Sequence, residues 1–231
     1  MVPGTAVSTT STSRSAGARA GRAIPRVLYC DADLLVVEKP AGLLSVPGRG
    51  AERQDSVALR LQARWPDARI VHRLDMDTSG LMVVARGAAA HRHLSLQFQQ
   101  RQVRKRYVAV VAGRLQPSQG EVDLPLACDW PNRPRQKVDR QHGKPSLTRY
   151  RVLEHSPDGS SSRVQLEPRT GRSHQLRVHL QALGHPILGD RLYGGHGNRE
   201  RASRLLLHAV WLGFAHPLDG RAMAFASEAP F

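Results

Sequence analysis

The chain has 231 residues, 40% of them hydrophobic, which is enough for one large domain with a buried core, and no apolar run approaches the roughly 20 residues that span a bilayer. Lys and Arg number 34 against 19 Asp and Glu, a net charge of +15, which favours a polyanionic partner, RNA or DNA ahead of an anionic membrane; a merely basic, solubilised surface gives the same excess. Cys30 and Cys128 fit no disulfide or metal spacing, which excludes a disulfide scaffold and reads as reduced thiols in a cytosolic protein.

Residues 1–24 contain no acidic residue and are rich in Ser, Thr, Ala, Gly and Arg. Such a stretch cannot bury enough apolar surface to order itself, so a disordered basic tail is predicted. An organelle transit peptide or an over-extended start shares that composition. The folded domain is expected over residues 25–231. It opens with "RVLYCDADLLVVEKPAG", two β-branched runs around an Asp-rich turn, a hairpin ended by Pro40 and Gly42. Residues 55–65 have helical spacing with Asp55 placed as N-cap. A strand is expected at 81–85, a helix at 88–100 and a strand at 106–113. Further strands are expected at 146–153, 163–167, 205–214 and 221–226. A helix fits 173–183, stopped by Gly184 and Pro186. Between these, residues 128–145 form a long polar loop carrying Trp130 and five Arg or Lys. Many strands with a few helices define an α+β fold whose central sheet is mixed or mostly antiparallel, flanked by helices.

Three stretches carry chemistry. In "VHRLDMDTSG", residues 71–80, Asp75 stands between His72 and the cationic Arg73 on one side and a Thr78-Ser79-Gly80 turn on the other. A carboxylate held by turn donors near a cation stays ionised and can act as nucleophile or base; a capped turn with no catalytic task fits the residues as well. "RTGRSHQLRVHLQALGHP", from Arg169, has three Arg, three His and no acid. On its helix, Leu176, Leu180 and Leu183 form the apolar stripe, and His174 and Arg177 share another face. The Thr170-Gly171 turn would leave amides open to an anion, so either a phosphate-facing helix or a solvated basic face is consistent. His174 and His179 are poorly spaced for a metal. "QQRQVRKRYVAVV" runs a basic segment into a strand headed by Tyr107, which suits backbone contact with base stacking or a plain charged loop. Walker A, GxGxxG, CxxC and GxSxG patterns are missing.

Together these stretches resemble a known family. "HRLDMDTSG" is similar to the signature of the RluA family of RNA pseudouridine synthases, "KRYVAVV" to its second motif, "TGRSHQLRVHLQALGHPILGDRLYG" to its third, and "RLLLHA" to its closing segment. The likeness runs from about Leu28 to the C-terminus, and "GLLSVPGR" and "CDWPNRPRQKV" resemble the dual-specificity branch, which acts on 23S rRNA and tRNA.

The resemblance implies the pseudouridine synthase catalytic fold, with an active-site cleft across the sheet. It implies isomerisation of uridine by base flipping, without cofactor or metal. The expected partners are 23S rRNA and tRNA anticodon stem-loops, with no membrane, for a monomer in the cytoplasm. By position, Asp75 corresponds to the essential aspartate, Tyr107 to a tyrosine stacked on uracil, and Arg177 to the cation paired with the aspartate. Arg73 would fill the gap left by the flipped base. Leu176 and Leu206 would wall the base, and His72, Thr78, Arg172 and His174 would complete the substrate contacts. Some family members carry an N-terminal RNA-binding domain, for which the segment before Arg26 is too short. Two other readings are a family member with a different rRNA target and a non-catalytic RNA-binding or ribosome-assembly protein. The latter leaves a carboxylate where phosphates would bind.

Overall fold

The computed structural model describes residues 23–231, so all but the end of the expected tail lies outside the described residues. The first strands pair as the turn chemistry dictates: β1 (Arg26–Cys30) and β2 (Leu34–Lys39) form an antiparallel hairpin. Next come α1 (Val57–Gln62), β3 (Ala68–Ile70), β4 (Ser79–Arg86), α2 (Gly87–Gln99) and β5 (Arg104–Ala112). The middle of the chain supplies β6 (Gln119–Asp123), β7 (Leu126–Cys128), β8 (Gln136–Val138), β9 (Leu147–His155) and β10 (Ser161–Pro168). Then follow α3 (Gln175–Ala182), α4 (Gly195–Arg199), β11 (Leu207–Ala215) and β12 (Ala222–Ala226). Ten strands make one sheet in the order β1-β2-β4-β11-β5-β10-β9-β6, with β3 on β4 and β12 on β11; β7 and β8 pair apart. Among the described residues only β4 and β11 pair in parallel.

β2 and β4 are continuous apolar runs because both of their faces are covered. Leu35, Val37, Met82 and Val84 point to one core, with α1 and α3 residues such as Val57, Leu61, Leu176 and Leu180. Leu34, Val36, Leu81 and Val83 point to the other, beneath Ala90 and Leu94 of α2. Gly80 lies where β4 meets β11 in register with Ala209. Its φ is +114°, and a Cβ there would stand 2.4 Å from the Ala209 carbonyl oxygen, so only glycine permits this strand approach.

Several expectations shift. Ser56, not Asp55, caps α1, its side chain accepting the Leu59 amide at 3.4 Å. Asp55 is drawn instead to the Arg60 guanidinium by two bonds of 2.8 Å. α3 begins at Gln175 because His174 adopts a left-handed backbone, φ 53°. The short strands β3, β6, β7 and β8 are additions, and the last falls inside the segment expected to be a loop. The fold thus delivers Asp75 on the β3–β4 loop, Tyr107 on β5 and Arg177 on α3.

Candidate active site and nucleic-acid interface

Asp75 needs a loop that does not move, and two buried side chains clamp it. Lys39, fully buried, donates to the carbonyls of Pro40 (2.9 Å), Leu43 (2.7 Å) and Met76 (2.7 Å), tying the turn after β2 to the residue after Asp75. Burial pushes its amine down to about 7, while Asp75 and Asp77 pull it back up. Three carbonyl acceptors match the three protons of an ammonium, so the geometry favours the charged form. Ser45 Oγ bonds the Leu74 carbonyl (2.7 Å) and receives the Leu74 amide (3.1 Å). The Thr78 amide closes the turn onto the Asp75 carbonyl at 3.1 Å.

Each oxygen of the Asp75 carboxylate faces a donor from the start of α3. Oδ2 is 3.5 Å from Arg177 Nη1 and Oδ1 is 4.0 Å from His174 Nε2. The Arg177 side chain is 3% exposed, so water does not compensate its charge. Asp190 does so, accepting Nε and Nη2 at 2.8 Å each. Burial opposes the Arg177 charge, and the Asp190 hydrogen bonds and charge, with Asp75, more than offset it and raise its pKa. Tyr193 holds the other donor. Its hydroxyl accepts the Gln136 amide (2.8 Å), leaving its own proton for His174 Nδ1 (2.6 Å). His174 then carries its proton on Nε2, toward Asp75. Burial pushes the Tyr193 hydroxyl up to about 12, so it keeps its proton.

Tyr107 is buried in the wall of the same cleft, in register with Ala209 on one side and Leu166 on the other. Burial first, and then the Asp75 charge, raise its pKa, so the phenol is neutral. Tyr107, Leu176 and Leu207 belong to one apolar cluster and line the cleft that also holds Asp75 and Arg177. The cleft measures about 1370 Å³, beyond the usual range for a small metabolite and open enough for a nucleotide chain. Arg101, Arg104, Lys105, Arg106, Arg169 and Arg172 ring it, with Arg106 stacked 4.7 Å above the Trp211 ring.

The sequence-predicted residues fall into different places. Arg73 is exposed at the cleft with no hydrogen bond or ion pair among the described residues. Thr78 is buried under the Asp75 turn. His72 stacks on Phe98 at 4.5 Å and accepts the Val83 amide on Nε2 at 3.1 Å, so its ring props the loop against β4. The Arg172 amide is already bonded to Gln175 Oε1 (3.0 Å), which closes one of the amides expected to be free for an anion. Alternation along the chain buries Leu205, Leu207 and Ala209 in the cleft-side core, and Leu207 lines the cleft; Leu206, which the resemblance offered as a wall for the base, packs partly buried against the same apolar cluster. Lys39, Ser45, Asp190 and Tyr193 went unassigned in the sequence, although "GDRLYG" stood within the third motif. One group of metal-ligand type, Asp31, Asp33 and His216, lies outside the cleft lining. There Asp31 is already bonded to Tyr29 (2.7 Å), His216 (2.9 Å) and the amides of Asp33 and Leu34 (2.8 Å each).

A clamped carboxylate–guanidinium pair and a neutral tyrosine inside a basic cleft are what an enzyme acting on nucleic acid would present. The RNA pseudouridylate synthase family pattern matches residues 33–182. The chain is 56% identical over 205 residues to the dual-specificity RNA pseudouridine synthase RluA of Escherichia coli (strain K12), covering 89% of this chain and 93% of that one. It is 54% identical to the RluA of Yersinia pestis, covering 89% and 99%. Among solved structures, human RNA pseudouridylate synthase domain containing 1 superposes with a TM-score of 0.75 at 34% identity, over 90% of this chain and 84% of that one. The chain therefore belongs to the RNA pseudouridylate synthase family and is an RNA-modifying isomerase.

Proposed function

We propose that the enzyme isomerises uridines in hairpin loops of 23S rRNA and of tRNA anticodon arms, with Asp75, Tyr107 and Arg177 as its catalytic residues. The observation that carries this reading is the clamped Asp75, with a donor facing each carboxylate oxygen and the buried Tyr107 lining the same cleft. The reaction breaks the N1–C1′ bond, turns the uracil and joins C5 to C1′. The proton leaving C5 is balanced by one gained at N1, so no atom is exchanged with a cofactor.

Asp75 supplies the charge, attacking the ribose or uracil C6, and Arg177, 3.5 Å away, holds the carboxylate aimed. Tyr107 offers its ring as the floor under the uracil, with Leu176 and Leu207 as dry walls that strengthen the Asp75–Arg177 attraction. Arg73, exposed and without a hydrogen bond or ion pair among the described residues, enters the stack in place of the flipped base, whose extraction costs a few kcal/mol and less in a loop that is already unstacked. Arg172, His174, His72 and Thr78 act around this centre, the first on phosphate and the others by shaping the loop and its turn.

The direct test is Asp75→Asn, isosteric and uncharged, assayed on unmodified anticodon stem-loop and rRNA hairpin transcripts with chemical mapping of pseudouridine. The wild type modifies both, and the variant loses at least ~10³-fold in rate. Retained modification by the variant would remove Asp75 from the mechanism. Modification of one transcript alone would narrow the substrate range.

A further inference from the structure

The segment between β7 and β8 is polar, yet it is firmly built. The Asp129 amide bonds the Arg135 carbonyl (3.0 Å), the Asn132 amide bonds Asp129 (3.1 Å) and the Arg135 amide bonds Asn132 (3.0 Å). Asn132 Nδ2 adds a bond to Asp129 Oδ2 at 2.9 Å. At its tip stands Trp130, 66% exposed and the only aromatic residue among the exposed large hydrophobic side chains of the described residues. The Arg133 guanidinium lies 4.5 Å from the Trp130 ring centroid, and its Nε donates to the Trp130 carbonyl at 3.0 Å. One face of the indole is therefore covered by a fixed cation, and the other is open. An ordered chain that leaves its largest ring in water gives up the apolar burial that Trp65 obtains against the core.

The tip also borders the reaction centre. Pro134 and Leu192 line the same cleft as Asp75 and Arg177. Arg135 donates to the Leu192 carbonyl and stands 5.7 Å over the Tyr193 ring. The next amide, that of Gln136, bonds the Tyr193 hydroxyl that orients His174. Over residues 128–145, Arg133, Arg135, Lys137, Arg140 and Lys144 outnumber Asp129 and Asp139, so the field around the tip suits a polyanion.

We propose that the β7–β8 tip is a second RNA contact, in which the open face of Trp130 stacks on an unpaired loop base other than the uridine being isomerised. The proposal rests on the RNA isomerase reading above. A base meets a preset aromatic plane backed by Arg133, a geometry that is tolerant of base identity and costs little ordering entropy. The basic residues behind it take the flanking phosphates. This contact holds the loop open at a fixed distance from Asp75, so affinity depends on it while the chemical step does not.

The test compares wild type, Trp130→Ala, Trp130→Phe and Arg133→Ala on an unmodified anticodon stem-loop transcript, and on versions of it abasic at single loop positions. Trp130→Ala raises KM about five- to a hundredfold with kcat within about twofold, since the exposed ring supports no core. Trp130→Phe recovers most of the loss. Removing the stacked base weakens the wild type but leaves Trp130→Ala unchanged, which locates the contact. An unaltered KM in Trp130→Ala overturns the proposal, as does the lack of any abasic position that weakens the wild type and leaves Trp130→Ala unchanged. Failure of the wild type to isomerise any transcript counts against the enzymatic reading instead.

Discussion

Asp75 faces Arg177 and His174, and each of these is itself held from behind, Arg177 by Asp190 and His174 by Tyr193. The left-handed backbone of His174, unusual for a residue with a Cβ, is the local strain that points its ring at both Tyr193 and Asp75. Removing the Tyr193 hydroxyl leaves the ring packing but releases the imidazole tautomer. Tyr193→Phe is expected to lower kcat about tenfold while KM stays within twofold. A merely structural hydroxyl would alter thermal stability and leave kcat untouched, so an unchanged kcat refutes the assignment. Asp75 and Arg177 could be picked out of the sequence because an acid in a turn and a cation on an apolar-striped helix are local patterns. Asp190 and Tyr193 could not, because a lone Asp and a lone Tyr after a helix stop have no local pattern. Their meaning comes from a partner 13 or 19 residues away.

At the scale of elements, the loop that carries Asp75 is fastened by groups from the far end of β2. Lys39 closes β2 with a side chain no sequence rule would bury, and its ammonium serves three carbonyls at once. Replacing it with methionine removes both the cost of burying a charge and the clamp. Lys39→Met is therefore expected to change global stability by less than about 2 kcal/mol but to reduce kcat at least about tenfold, because the Asp75 loop loosens. Urea unfolding and single-turnover rates measured on one preparation separate the two effects, and a loss of stability with full activity would contradict this role. The long strands were legible because β2, β4, β5 and β11 are apolar on two faces. β6 has a single buried residue, Val122, and β7 and β8 have three residues each, so pairing partners rather than composition make them strands.

For the whole molecule, acid sensitivity follows from histidines kept neutral. Burial pushes His208 down to about 4 against the pull of Glu38, and both its ring nitrogens are engaged, by Ser79 (2.7 Å) and Ser227 (3.0 Å). Burial, with Lys105 nearby, pushes His72 down to about 3. In the unfolded chain both take up a proton near 6.5, so between 6.5 and 4 the unfolded state binds more protons. The stability from neutral His208 is complete above pH 6.5 and is lost as pH falls toward 4, by up to about 1.4 kcal/mol per unit. Urea unfolding at pH 7, 6 and 5 is expected to show this slope, and His208→Gln to flatten it; an equal slope in the variant would assign the sensitivity elsewhere.

The sheet itself has a seam. β1, β2 and β4 lie on one side of β11, and β5, β10, β9 and β6 lie on the other; among the described residues no strand pairing joins the two groups except through β11. Asp75 enters from the first group, and Tyr107 and Arg177 from the second. β11, from Leu207 to Ala215, pairs with β4 on one side and β5 on the other. The distance between the carboxylate's half of the sheet and the tyrosine's half is therefore set by the register of one strand, and a slip of β11 against either neighbour would part the reacting groups while leaving both halves paired.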